Sequence, residues 1–505
     1  MKKLALLSVS DKTEIVDFAE KLVLLGYEIL ATGGTAKAIS EAGIAYTGVE
    51  DYASFPEVFS GRVKTLQPKI FGGILMRRDN DSDIAEAEAN QISPIDIICV
   101  NLYPFPKVVN RNDIELQEKI ENIDIGGPSL IRAAAKNYKY VSVLTNPNQY
   151  KDFITELETG QITLETRQKL ASAAFSHTSY YDTLIAEYFE TEFNVEKASV
   201  RLNYPVQNYL RYGENPHQQA LIAGDFYDYF EVLHGKELSY NNIVDLVAAV
   251  ELVNELNPIS CAIIKHTNAA GAATSSNVLD AYENALSGDP VSAFGGIVAF
   301  NTKVNLETAE KLNNIFLERI VATDYNEDAL EILKKKKNRR LLKELKQVKR
   351  EGLQIKNIPG GVIAQSYDNS DANMLEMEVV TELAPDESQL EDLKFAWIVC
   401  KHTKSNAIVY VKDKKLLGAG AGQMSRLDSS KIAAMKATEH GHDLTGAVAA
   451  SDAFFPFADG LLAIAESGIT SVIQPGGSVR DEEVIEAANN KKISMVFTGI
   501  RNFKH

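Results

Sequence analysis

Cysteine is scarce in this chain, and basic charge is in deficit. The 505 residues hold three cysteines, Cys99, Cys261 and Cys400, far apart and without paired spacing. That excludes a disulfide framework and a cysteine-type zinc site. Each lies in or beside an apolar run, the setting of a small core residue. Lysine and arginine number 52 against 69 acidic residues, giving a net charge of -17 and a pI of about 5.1. Such a balance argues against a general nucleic-acid binder. Small anionic ligands stay admissible, because a pocket concentrates positive charge whatever the total. No apolar run is long enough to predict a membrane span. The opening stretch up to Leu7 starts like a signal peptide, but Ser8, Ser10 and Asp11-Lys12 interrupt it. A first β-strand and a cytoplasmic location are the expectation.

What is present is ordinary for a soluble globular protein, 45% hydrophobic and 24% charged. The length suits about three domains. Leu4–Val9, Tyr27–Ala31, Ile95–Val100 and Val141–Leu144 read as strands, with helix patterning over Glu14–Leu25, after Thr35 and over Thr166–Phe189. Short strands alternating with helices predict a parallel sheet clothed by helices. Polar sequence at Asn194–Pro205 marks a boundary, beyond which the pattern is again α/β. Two echoes there suggest duplication. Lys265-His266-Thr267 recurs as Lys401-His402-Thr403, each expected after an apolar strand, and Ser292–Gly296 has a loose counterpart in Ser451–Phe455. The two subdomains would join near Ser366–Asn373, with a site between them. The predicted bounds are 1–195, 200–370 and 371–505.

The densest chemistry lies at Cys261–Lys265, an apolar strand that ends in Lys265, His266, Thr267, Asn268 and an expected loop containing Gly271. A near-neutral base beside a cation suits acyl transfer to a weak amine: one takes a proton, the other steadies an oxyanion. In the first domain, Thr32-Gly33-Gly34-Thr35 and Ser10-Asp11-Lys12 both follow a strand and open a helix, as phosphate loops do. Arg62 and Lys64 share one side of an extended segment, while Asn101 and Tyr103 leave a strand at the same edge. Asp124 precedes a helix carrying Arg132 and Lys136 on one face. Between Lys334 and Arg350 ten of seventeen residues are basic. The plain reading is a solvated helix and loop, the sharper one a landing strip for a polyanionic ligand tail. His440-Gly441-His442 lacks a third ligand type nearby and reads as a helix end, so no metal site is assigned.

In order along nearly the whole chain, these motifs resemble one family. Its members join 5-aminoimidazole-4-carboxamide ribonucleotide formyltransferase to inosine monophosphate (IMP) cyclohydrolase. Further matching stretches are Leu210–Gln218, Leu238–Asn242, Ser405–Ala407, Gly420–Arg426, Gln474–Asp481 and Arg501–His505. The resemblance implies an α/β chain: a parallel-sheet domain like methylglyoxal synthase, then two cytidine-deaminase-like subdomains. The zinc signature of cytidine deaminases is missing, so kinship there would be of fold and not of chemistry. The resemblance also implies a homodimer, 10-formyltetrahydrofolate as cosubstrate, and small-molecule ribonucleotide and folate partners. It allows a bound potassium ion, with no position assigned.

Residue by residue, the resemblance makes His266 the general base and Lys265 the oxyanion or leaving-group partner. Arg211, Tyr212, Asn242, Gly295, Glu318, Asn406, Arg426, Phe454 and Arg501 would hold the ribonucleotide, and Leu427, Asp459, Ser478 and Val479 the folate. For ring closure the candidates are Lys64, Tyr103, Asp124 and, foremost, Lys136. Nucleotide contacts there fall to Ser10, Asp11, Lys12, Thr32, Gly33, Gly34, Thr35, Arg62, Val63, Thr65 and Asn101. The chain departs from the family pattern at Gln67 and Phe71, where histidines are usual, at Ala269-Ala270, and at Asn502 and Lys504. Three rivals follow: a formyltransferase whose first domain binds nucleotide without cyclising it, a non-catalytic nucleotide sensor, and a methylglyoxal synthase.

Overall fold

The computed structural model describes residues 2–505 apart from 110, 112, 373 and 375. The expected junction at Ser366–Asn373 therefore ends on a residue outside those described. Two compact units divide the chain, Met1–Tyr204 and Pro205–His505.

The first unit is built on five strands, β1 (Lys3–Val9), β2 (Tyr27–Ala31), β3 (Thr47–Gly48), β4 (Ile97–Asn101) and β5 (Ser142–Leu144). They pair in parallel in the order β3-β2-β1-β4-β5. Strands covered on both faces read as unbroken apolar runs, which is why Leu4–Leu7 and Ile97–Val100 carry no polar alternation. The chain winds outward in both directions from β1 and β4, leaving a crevice at their carboxyl ends.

The second unit carries one twelve-stranded sheet. Its order runs from Glu378–Val379 through Ser494–Phe497, Ser471–Gln474, Val448–Ser451, Ile408–Lys412 and Lys415–Gly420. It continues through Asn268–Thr274, Ser260–Lys265, Ile297–Val304, Arg319–Tyr325 and Arg340–Glu344 to Phe230–His234. The halves repeat one plan. Helix Tyr240–Glu255 or Glu387–Lys401 leads into an antiparallel strand pair, then three parallel strands each entered from a helix. The second strand of each half meets its counterpart antiparallel at Ala273 and Lys415. Both leading helices cover one face of the sheet over a single shared core, while each half keeps its own core on the other face.

Four expectations need correcting here. Lys401-His402-Thr403 follows a helix, not a strand, because the run Phe395–Cys400 belongs to a helix buried on nearly every side. Short apolar runs do not distinguish the two. Neither echo is therefore a structural counterpart: Ser292–Gly296 precedes a strand while Ser451 ends one. Gly271 lies in no loop; it sits within Asn268–Thr274, where a Cβ would come 1.8 Å from Ala285 O. Glycine there lets helix Val278–Gly288 press onto the strand. The basic run is only partly solvated, since Arg340–Glu344 is a strand of the sheet with Leu341 and Leu342 fully buried.

His402 instead enters a buried charge network. Glu255 accepts from Lys401 at 3.1 Å and Arg350 at 2.7 Å, and His402 Nε2 lies 3.2 Å from it. Burial drives the His402 imidazole down to about 4 against the pull of Glu255. Burial would raise Glu255, but His402, Arg350 and Lys401 bring it to about 2. Both groups bind more protons unfolded than folded, so stability is complete above about pH 6.5 and declines on acidification. The His402 share, on the order of 3 kcal/mol, is lost between pH 6.5 and 4, and the Glu255 share follows below about 4.5. A His402→Gln variant should show a flatter fall in urea midpoint between pH 6.5 and 4.5 than the parent. Identical slopes would take His402 out of the acid response.

Candidate active sites

In the first unit, the crevice between β1 and β4 is closed by side-chain clamps. Asn101 Oδ1 accepts from the N–H groups of Ser10 (2.6 Å) and Asp11 (2.9 Å), and its Nδ2 donates to Asp11 O. Thr35 Oγ1 both accepts from Val9 N–H (2.9 Å) and donates to Val9 O (3.0 Å). The Thr32 hydroxyl is engaged with Ser8 at 2.8 Å and caps nothing. Amides at the start of helix Gly33–Glu41 are thereby left for an anion. Two ammonium-bearing chains overhang them: a Cβ on Gly33 would lie 3.5 Å from Lys64 Nζ, and one on Gly34 3.3 Å from Lys12 Cε.

Lys64 also pairs with Glu57 at 2.5 Å, and Arg62 is held by Glu121 through bonds of 3.1 and 2.7 Å. Val63 bridges to Val58, and buried Thr65 brings its hydroxyl 2.8 Å from where a Gly126 Cβ would stand. Asp124 Oδ1 accepts from Gly127 N–H at 2.8 Å, and burial pushes its carboxyl above the usual range against the pull of the Gly127 and Gly126 amides. Tyr103 is half exposed just beyond β4. Lys136 stands apart. It ends helix Gly126–Lys136, ten residues and about 15 Å of axial rise from Gly126. There it lines a 700 Å³ cavity with Arg132, Phe71 and Phe175, among other residues.

In the second unit, Ser260–Lys265 turns directly into Asn268–Thr274 through His266 (φ 50) and Thr267 (φ 63). Two left-handed residues match the right-handed twist of a hairpin. For β-branched Thr267 the conformation is costly, and its N–H is anchored on Asp245 Oδ1 at 2.8 Å. The hairpin and the Asp245 anchor hold this turn, keeping Lys265 and His266 together at the end of the strand, with His266 exposed. Lys265 Nζ donates to Phe294 O at 3.0 Å. Gly295 (φ 71) permits this approach, since a Cβ there would lie 3.1 Å from Nζ. Its N–H donates to Phe316 O at 2.8 Å.

Phe316 lines a 930 Å³ cavity shared with Arg211, Tyr212, Asn242 and Glu318, and with Lys336 and Lys337 of the basic run. The Arg211 guanidinium lies 4.8 Å above the Tyr212 ring. Across the seam, Arg426 binds Asp452 Oδ1 (2.7 Å), Asn406 Oδ1 (3.0 Å) and Phe454 O (3.2 Å). Lys404 N–H reaches Asn268 Oδ1 at 3.0 Å, tying the two clusters. Leu427 follows Arg426 on one helix and Asp459 opens another, while Ser478 and exposed Val479 occupy the loop after Gln474. Arg480 stacked 4.7 Å over Phe457 joins those last two segments. Arg501 lies 4.4 Å over the Phe503 ring in the carboxyl tail.

Known proteins resemble this chain in sequence. Residues 134–436 match the family described as "AICARFT/IMPCHase bienzyme", and 14–129 match "MGS-like domain". A Chlorobium phaeovibrioides protein named "Bifunctional purine biosynthesis protein PurH" is 50% identical, covering 100% of this chain and 99% of its own. Proteins of the same name from Persephonella marina (49% identical, 100% of both chains) and Chloroflexus aurantiacus (49%, 99% and 98%) are similarly close. The chain belongs to the AICARFT/IMPCHase bienzyme family.

Set beside the family pattern, the departures acquire places. Gln67 is the buried cap residue before helix Pro68–Leu75, and Phe71 lines the cavity that holds Lys136. Asn502 N–H donates to Asp452 O at 3.0 Å. Lys504 donates to Ser405 Oγ (3.0 Å) and His402 O (3.3 Å), so both substituted residues fasten the tail that carries Arg501. Sequence reading missed Asp245, Phe316 and the Asp452 partner of Arg426. Only Asp452 left a signal, as part of the false echo.

Proposed function

We propose that the second unit transfers the formyl group of 10-formyltetrahydrofolate to the amine of 5-aminoimidazole-4-carboxamide ribonucleotide. The first unit then closes the product to IMP with loss of water. The Lys265–His266 turn carries the reading: an exposed imidazole and an ammonium held on Phe294 O share one edge. The amine lone pair, delocalised into its ring, attacks the formyl carbon as His266 removes the amine proton. Lys265 steadies the oxyanion and protonates the departing folate nitrogen. Arg211, Tyr212, Asn242, Gly295, Glu318, Asn406, Arg426, Phe454 and Arg501 hold the nucleotide, Arg side chains suiting its phosphate. Leu427, Asp459, Ser478 and Val479 meet the folate.

Ring closure needs little beyond alignment, because carboxamide and formyl group already share one molecule. Lys12, Thr32–Thr35 and Ser10 receive the phosphate. Lys64, Tyr103 and Asp124 exchange protons, with Lys136 retained on family resemblance and not on proximity. The bounds 1–195, 200–370 and 371–505 assign cyclohydrolase and two transferase subdomains; a homodimer is carried over from the resemblance, and a cytoplasmic location from the interrupted apolar run at the start of the chain. Among the described residues no helix is long and apolar enough to cross a membrane. For potassium one observation speaks: buried Asp452 Oδ2 has no hydrogen-bond partner. One carboxylate oxygen does not define a site, and no step is routed through the ion.

Incubating the protein with both transferase substrates and resolving products by chromatography tests the whole reading. Prompt IMP with little formylated intermediate is expected. Accumulating intermediate would favour the transferase-only rival, and no turnover at all would favour a nucleotide sensor.

A further inference from the structure

Helix Arg426–Glu439 of the second half sends two groups across the seam to one carboxylate of the first. Lys436 Nζ donates to Asp289 Oδ2 at 3.1 Å, and His440 Nε2, just past the helix, stands 3.1 Å from Oδ1 without hydrogen-bond alignment. His442 Nε2 is occupied by Ser287 O at 2.7 Å, so the histidine pair is spent on this seam. Asp289 is largely buried, with 14% of its side chain exposed. Its second task is local. Oδ1 accepts from Ser292 N–H (2.8 Å) and Oδ2 from Ser292 Oγ (2.7 Å), capping the turn Pro290–Ala293. That turn ends in Phe294, whose carbonyl holds the Lys265 ammonium, and in Gly295, which admits it.

We propose that Asp289 is a positioning residue for formyl transfer, clamped by Lys436 and fixing the Ser292–Gly295 turn on which Lys265 is aimed. This rests on Lys265 acting in the transfer. Asp289 touches no reacting atom. It works by holding Phe294 O where the ammonium must point, and Lys436 works by holding Asp289. A preorganised donor loses its advantage when its support moves by about an ångström. Pro290 at the first helical position and an Asp cap make the turn self-starting, so the clamp refines aim and does not create the fold.

The test uses the full chain, with formyl transfer followed by kcat and KM and ring closure followed separately from the formylated ribonucleotide. Asp289→Ala should lower transfer kcat about tenfold, leave both KM values within about twofold, and leave ring closure unchanged. Lys436→Met should lower kcat about threefold, with Lys436→Arg restoring it, and Asp289→Ala/Lys436→Met should be no worse than Asp289→Ala alone. Wild-type kcat in Asp289→Ala, or additive losses in the double variant, would overturn the proposal. If Asp289→Ala does not fold, the Lys436 pair decides alone: equal kcat in Lys436→Met and parent overturns it. A Lys265→Met control separates the two readings. An active control removes the transfer assignment itself, whereas an inactive control beside a neutral Lys436→Met removes only the clamp.

Discussion

A Lys265→Met variant is expected to lose formyl transfer by about 10²- to 10³-fold, and His266→Ala by about 10²- to 10⁴-fold. Both should close the ring of supplied formylated ribonucleotide at the parental rate, because the residues proposed for closure lie in a different compact unit. The size of the effect follows from what each group does. Lys265 is not a free surface cation; its Nζ is held at 3.0 Å on Phe294 O, so its direction is set before substrate arrives. His266 sits in a strained turn whose conformation is fixed by the hairpin and by Asp245. Methionine preserves the length of the Lys265 side chain and removes only the ammonium. Steady-state rates with both transferase substrates read the result. Transfer within about threefold of the parent in either variant would remove that residue from the chemistry.

The opposite dissociation is expected in the first unit. Asp124→Asn and Lys64→Met should each slow ring closure by about 10²-fold while formyl transfer is unchanged, so that the formylated intermediate accumulates. The expectation for Asp124 rests on burial, which raises its carboxyl, and on the Gly127 amide, which fixes its orientation. The expectation for Lys64 rests on its ammonium overhanging the first amides of the Gly33 helix. Lys136→Ala is the sharper experiment. The structure puts Lys136 about 15 Å along the helix from Gly126, in a cavity of its own. Abolished closure with transfer spared keeps it in the mechanism; wild-type closure removes it and leaves Lys64 and Asp124 to act with Tyr103.

Much of this was legible in the residues, though not always for the reason that made it so. The strands of the first unit announced themselves because parallel strands buried on both faces leave only apolar side chains, and their boundaries fell within two residues of Lys3–Val9, Tyr27–Ala31, Ile97–Asn101 and Ser142–Leu144. The two loops proposed to take phosphate stood out because glycine and hydroxyl residues between a strand and a helix suit an anion. The duplication in the second unit is real as topology, yet the echo that suggested it is false: Lys401-His402-Thr403 ends a helix. Period alone could not separate a buried helix from a buried strand in Phe395–Cys400. Asp245, Phe316 and Asp289 escaped notice because their roles are relational. Each is a common residue type whose partner lies 22 or more positions away or on a backbone carbonyl.

The seam at Ala273 and Lys415 bears on how substrates enter. Thr274 N–H donates to Lys414 O, and Gly288 lets its helix close onto Leu416 O, where a Cβ would lie at 2.8 Å. Lys401 reaches Glu255 and Lys436 reaches Asp289 across the same line. Halves braced in this way cannot part without breaking hydrogen bonds, ion pairs and a shared core together. Admission and release are then expected to fall to side chains and loops, Met424 and Val479 being fully exposed. The transferase is then expected to turn over as a fixed bench, without a swing of whole lobes.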